Sequence, residues 1–297
     1  MEFKLTDFVE LVAGMKLYKY LSPGRIDVLT HCHIRYTQPG AFNDPFEAKP
    51  YISKIAEDEE AERTVGKILP EEIEKSYNKL PLEVKRVFSY KTILDLASQY
   101  RESFRGEIGG ILAPFAPMLR RMLDERFNEL LGIFSLTEKP DNLLMWSHYA
   151  TSHEGFVLGF ESTHEYFDQR KTPKDEFRHL RKVEYRLNRP NAPLTTLRGV
   201  DVFLVKSQAW EYEQEWRIMR PLVEASEIIS ADRFPIHLFE YPPSAVVEII
   251  LGARIHEADR TEILNIVKHN KHFSHVEVFQ ALPNDMKFKI EIVKCRV

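Results

Sequence analysis

Cysteine is scarce in this chain. Its 297 residues include only Cys32 and Cys295, near opposite ends. Two are too few for a disulfide framework, and they lack the CxxC spacing of a structural zinc site. No run approaches the roughly 20 apolar residues of a membrane span. The first residues, MEFKLTDFVELVAG, are amphipathic and carry acids, unlike the basic flank and apolar run of a secretion signal. A soluble cytoplasmic protein with no membrane contact is the expectation. Neither charge dominates: 41 basic and 45 acidic residues give a formal charge of −4, so no global field draws the protein to nucleic acid. Familiar catalytic signatures are also missing. There is no GxGxxG, GxxxxGK(S/T) or GxSxG. His148 and His153 stand five apart rather than at the i,i+4 spacing of HExxH, and no nearby carboxylate completes a metal triad. No metal is expected.

What the chain has is core material: 43% hydrophobic and 11% aromatic residues, enough at this length to bury about three quarters of the unfolded surface. Residues 1–14 read as a short helix, KLYKYLSP as an extended segment, and residues 24–29 as a helix or turn. HCHIRYTQP reads as a strand with Cys32, Ile34 and Tyr36 on one side and His33 and Arg35 on the other. Residues 53–131 are charged, with apolar positions at helical intervals, and Pro70, Pro81, Pro114 and Pro117 divide them into several helices. Strand character returns in GIFSLTE, FVLGFE, KVEYRL, VVEIILGARI, VEVFQALP and FKIEIVK, with a helix over EADRTEILNIVKHN. The expected fold is α+β: a mixed, mainly antiparallel β core over 1–52 and 132–297, with a helical insertion over 53–131.

Three stretches carry polar and aromatic residues together. In FNDPFE, Asn43 and Asp44 suit a turn, Pro45 keeps Asp44 out of the helical region, and Phe42 and Phe46 would pin it. The same stretch could instead hold Asn43 and Asp44 against a ligand. MWSHYATSHEGFVLGF places Trp146, His148 and Tyr149 within four residues, as core anchors or as an aromatic, His-bearing pocket. In KSQAWEYEQEWRIM, a strand over Glu213–Met219 would put Glu213, Glu215 and Arg217 on one side and Trp216 and Ile218 on the other, whereas a helix would make Glu213 and Arg217 an i,i+4 ion pair. Such a face is either a solvated edge or a charged site held rigid by the rings behind it. A nucleic-acid hydrolase using Asp44, Glu213 and Glu215 with a divalent metal is a further alternative.

The segments LYKYLSP, FNDPFE, FSLTEKPDNLLMWSHYATSHEGFVLGF, KVEY, KSQAWEYEQEWR and IILGARI, in this order and spacing, resemble the bacterial domain of unknown function 2971 family. That resemblance implies an association with abortive infection and phage defence. The layout also resembles that of ADP-ribosyltransferases, including the DNA-modifying DarT type, in which NAD lies in a cleft between two small sheets. This second resemblance implies that Arg35 or His33 contacts NAD, that Tyr36, Phe42 and Tyr149 pack around it, and that Glu215 (or Glu213) is catalytic. Asn43, Asp44, Trp146, His148 and Arg217 complete the candidate cofactor-binding set. The chain departs from that pattern in having no clear Ser-Thr-Ser on a middle strand. The implied target is nucleic acid or protein, and a neutralising partner is compatible with it. The competing expectation is a non-enzymatic module that senses a small ligand or a phage component.

Overall fold

The computed structural model describes residues 14–103 and 106–295. The helix expected over 1–14 lies outside the described residues, apart from Gly14. The strands are β1 (Lys16–Leu21), β2 (His33–Tyr36), β3 (Leu131–Thr137), β4 (Phe156–Glu161), β5 (Arg181–Lys182), β6 (Glu184–Arg186), β7 (Val205–Ser207), β8 (Glu215–Pro221), β9 (Glu227–Ile229), β10 (Ile236–Glu240), β11 (Val246–Leu251), β12 (Glu277–Pro283) and β13 (Ile290–Lys294). Eight form one sheet in the order β13-β12-β11-β4-β1-β3-β8-β5; β2, β10 and β9 form a second, and β6 pairs with β7. Within the large sheet only β11 and β12 run parallel. The fold is α+β with a mainly antiparallel β core.

The chain forms two compact units. One takes the residues up to Ala48, Arg126–Arg189 and those from Phe203 onward; the other is Lys49–Glu125 with Pro190–Val202. The second unit holds the helices Asp58–Asn78, Leu82–Val87, Tyr90–Ser103 and Ile108–Leu112. Residues 190–202 join it through backbone bonds from Tyr51 to Pro190 (2.8 Å), Leu194 to Lys54 (3.0 Å) and Thr195 to Ile55 (3.0 Å). Pro81 caps a helix and Pro117 sits in the first turn of Ala116–Leu130, as the sequence suggests. Pro70 does not end its helix, which runs on from Asp58 to Asn78. The residue four before it is Gly66, whose unrestricted backbone can give way to the proline ring.

β4 lies centrally, between β1 and β11, and its FVLGF run is buried on both faces. A strand covered on both sides needs apolar residues at successive positions rather than alternation. Residues opposite one another in an antiparallel ladder share a face. Leu17, Leu21, Phe134, Leu136, Leu158, Phe160, Trp216 and Ile218 thus meet in the main core. On the other face Tyr20, Val157 and Ile250 pack with Met145 and Trp146. Those two come from the helix Leu143–Tyr149, whose N-terminus is capped by Asn142 accepting from Leu144 N and Met145 N.

Three strand expectations need correction. Cys32 is not in β2: it caps the helix Asp27–His31 in the left-handed conformation (φ 56°), and the strand starts at His33 because extended geometry starts after that residue. Likewise Glu213 is not in β8. It ends the 3₁₀ turn Gln208–Glu213, and left-handed Gln214 (φ 45°) separates it from the strand. KVEYRL is also interrupted, with buried Val183 between β5 and β6.

Gly155 lies where chain segments converge; its carbonyl accepts from Gly252 N at 2.9 Å. A Cβ at Gly155 would collide with the carbonyl oxygen of Leu21 and stand 3.2 Å from Ala150 Cα, whereas one at Gly110 meets nothing. Gly155→Ala is expected to lower the urea midpoint by the equivalent of about 1–3 kcal/mol. Gly110→Ala, within a helix, should be neutral or raise it by up to about 1 kcal/mol. Equal midpoints for the two variants would contradict this packing.

Candidate functional site

β8 reads EWRIMRP, and its alternation sends Trp216 and Ile218 into the main core. Glu215 and Arg217 therefore point from the opposite face. The register aligns Glu215 with Thr137 and Arg217 with Ser135, and Thr137 in turn with Tyr18. Tyr18, Ser135, Thr137, Glu215 and Arg217 share that face. The 3₁₀ turn after β7 brings Glu213 back beside Glu215, fastened by the Thr137 hydroxyl donating to the Glu213 carbonyl. Glu47, the last residue of FNDPFE, enters from its loop.

These groups form one buried ionic network. Lys206 Nζ lies 2.6 Å from Glu213, 3.0 Å from Glu215 and 3.6 Å from Glu47. Arg217 donates to Glu215 through Nε (2.8 Å) and Nη2 (2.9 Å), to the Phe203 carbonyl through Nη1, and to Glu47. The Phe42 ring centroid is 5.2 Å from its guanidinium. The Tyr149 hydroxyl donates to Glu213 at 2.6 Å and accepts from Asn43 at 3.3 Å. Three carboxylates face two cations away from water.

Each shift in acidity follows from this geometry. Burial pushes Glu215 up, but Arg217 and Lys206 outweigh it and hold the carboxyl well below its ordinary range. For Glu47 burial wins over Arg217, with Glu215 adding to it, and the carboxyl is raised. Burial pulls Lys206 and Arg217 down, yet the facing carboxylates hold both above their usual values. Tyr149 is raised, first by burial and then by the Glu213 charge. Ionisation of the network is thus collective.

A cavity of about 410 Å³ opens over the network, within the size range of small-molecule sites. It sits where the large sheet parts. β1 and β3 pair at Tyr18 and Thr137, while further along β3 the Ser135 carbonyl accepts from Lys19 Nζ at 3.0 Å. At Ile133 the neighbour of β3 is Thr37, just past β2. Residues of both sheets therefore line the cavity: Tyr18, Lys19, Tyr20, Ser135 and Thr137 from one, Arg35 beside Thr37 from the other.

Of the candidate residues, Arg35, Phe42, Asn43, His148, Tyr149, Glu213 and Glu215 line this cavity. Arg217 stands behind it, fully buried, as the support of Glu215 and Glu47. The remaining four are elsewhere. Tyr36 packs in the core 4.3 Å from the Phe239 ring, its hydroxyl 3.2 Å from that of Tyr166. Trp146 is a core anchor against Tyr20, with Nε1 donating to the Pro140 carbonyl at 2.9 Å. His33 is half-buried outside the lining. Asp44 accepts from Phe46 N at 2.8 Å and so closes its own turn. Asp44, Glu213 and Glu215 therefore do not converge, and among the described residues no group of three His, Cys, Asp or Glu is placed to hold a metal ion. Phe46 does not pin the turn from within; it is 61% exposed, with the Arg189 guanidinium 5.7 Å from its ring centroid.

Sequence reasoning missed Glu47, Lys206 and Lys19. The first two lie inside FNDPFE and KSQAWEYEQEWR, and the signal was the excess of carboxylates there, since buried acids need cations. Lys19 gave no signal; in KLYKYL it reads as an outward charge.

Arg217→Met would leave Glu47 and Glu215 buried beside one cation. It is expected to cost about 3–5 kcal/mol in urea unfolding. The pH dependence has a defined sign. The folded value of Glu215 is depressed, so its stabilisation is full above the unfolded value of about 4.3 and is lost as pH falls toward the folded one. Glu47, raised, acts in the opposite direction. Glu215→Gln should therefore flatten the acid limb of the stability profile below about pH 4, and Glu47→Gln should not. Flattening by Glu47→Gln alone would reverse the assignment.

Comparison with known proteins found no curated protein and no solved structure that matches this chain. A family model does match residues 145–218, the stretch that supplies His148, Tyr149, Lys206, Glu213, Glu215 and Arg217. Over that stretch the chain resembles the family described as protein of unknown function (DUF2971).

Proposed function

We propose that the cavity binds NAD as a substrate and that the protein is an ADP-ribosyltransferase-like enzyme. The observation that supports this is a cavity between two sheets in which the carboxylates of Glu213 and Glu215 share the wall with aromatic rings and Arg35. In the reaction, the bond between nicotinamide and ribose C1′ breaks and nicotinamide leaves with the electron pair. An acceptor nucleophile then adds to C1′. Positive charge develops on the ribose, where a fixed carboxylate contributes most. Arg35 and Lys19 suit the pyrophosphate, and Phe42 and Tyr149 offer faces to the nicotinamide ring.

Of the two acids, Glu213 is the better candidate for the carboxylate at C1′. Both oxygens of Glu215 are taken by Arg217, and Lys206 adds a further bond. Glu213 answers to Lys206 and to the neutral Tyr149 hydroxyl, so less of its charge is offset. Glu215 then acts through Lys206, as a positioning residue. A cytoplasmic bacterial effector that modifies nucleic acid or protein in phage defence, held in check by a partner, is the setting that accords with this chemistry. Among the described residues, no helix is long and apolar enough to cross a membrane.

A second reading, a non-enzymatic ligand sensor, is favoured by one fact: every carboxylate in the network already faces a cation. Nicotinamide release from NAD by the purified protein, with nucleic acid and lysate as acceptors, separates the two. Release is expected, and Glu213→Gln should reduce it by about a hundredfold or more, Glu215→Gln less. No release combined with thermal stabilisation by NAD would leave the sensor reading. Release unchanged in Glu213→Gln would remove that residue from the chemistry.

A further inference from the structure

We propose that Lys19 is a reactive amine that captures an anionic aldehyde or ketone as an imine, with Arg35 receiving the ligand's phosphate or carboxylate. The contrast with Lys206 motivates this. Lys206 faces three carboxylates and is locked as an ammonium. Lys19 lines the same cavity, yet its Nζ bonds only the Ser135 carbonyl, 5.4 Å from the Phe134 ring centroid, and among the described residues it forms no ion pair. A half-buried ammonium with no counter-ion favours its neutral form. Burial lowers Lys19 to about 8; Glu215 works against this and Arg35 reinforces it. At pH 7 about a tenth of the amine is then unprotonated, against less than about a thousandth of an ordinary lysine, and this neutral fraction is the nucleophile.

Arg35 supplies the other half of the site. Its Nε is buried without a hydrogen-bond partner, and it forms no ion pair among the described residues. A buried guanidinium donor left unmatched suits a planar anion such as a carboxylate or phosphate. Lys206 and Arg217 already face Glu47, Glu213 and Glu215. With Lys19 neutral, Arg35 is the cavity cation not engaged by that network, and it favours an anionic ligand. In the reaction the neutral amine adds to the carbonyl carbon, and the carbinolamine loses water. Both amine protons leave with the carbonyl oxygen, and no oxidant or reductant is needed. The proposal does not depend on cleavage of NAD.

Pyridoxal 5′-phosphate, an aldehyde carrying a phosphate, is a direct probe. The full chain would be treated with limiting probe, reduced with borohydride and mapped by peptide mass spectrometry. Lys19 is expected to label at least about tenfold faster than exposed Lys174 and Lys287, since its neutral fraction is larger. Pyridoxal without the phosphate should lose most of that preference. Lys19→Arg should abolish the fast site at unchanged thermal midpoint. Arg35→Gln should keep the amine reactive and equalise the two probes. Labelling of Lys19 no faster than Lys174 would overturn the reactive amine; equal use of both probes by the unaltered protein would overturn the role of Arg35. Retained fast labelling without nicotinamide release would separate this property from the proposed transferase.

Discussion

A single guanidinium holds the site together. Arg217 is fully buried and reaches Glu215 on its own strand, Glu47 on a loop 170 residues earlier, and the carbonyl of Phe203. No hydrophobic side chain could join those three in one geometry, because direction and charge matter as much as volume. An isolated arginine would not be stable there either. Its burial requires both carboxylates, and their burial requires Lys206 as a second cation. The FNDPFE loop is thereby tied to β8. The rest of the cavity wall follows: Phe42 lies against the guanidinium, and Asn43 touches Tyr149.

The second constraint is the parting of the large sheet. β3 is claimed by β1 at one end and by the residue after β2 at the other, and Lys19 spans the interval with a single bond to a carbonyl. Breaking a ladder normally leaves backbone groups unmatched. Here the break is answered by a side chain, and the space it opens becomes the cavity. The same break explains why charges of both signs crowd one wall. The network belongs to β7, β8, the turn between them and the FNDPFE loop, whereas Lys19 and Arg35 border the gap.

Much of this was legible in single stretches. Alternation in EWRIMRP assigned the faces of Glu215 and Arg217, and the twofold period of HIRY already separated Arg35 from Tyr36. Taking both as cofactor contacts ignored that period, and the structure sends Tyr36 to the core. Asp44 misled for a different reason: a carboxylate next to proline is as well suited to closing a turn as to meeting a ligand. Trp146 misled because a helix of seven residues has one side on the core, and the largest ring took it.

The sequence by itself determined most strands of the large sheet, the helical character of residues 58–130, the α+β class and the clustering of aromatic and acidic residues, because these rest on local periodicity and composition. Only the tertiary structure decided which acids meet which cations. Glu47 and Arg217 are far apart along the chain, and no local pattern records that one will neutralise the other. It also decided that Lys206 is locked while Lys19, among the described residues, stays without an ion pair. The two lysines look alike as letters; their chemistry differs because folding surrounds one with carboxylates and leaves the other a lone carbonyl.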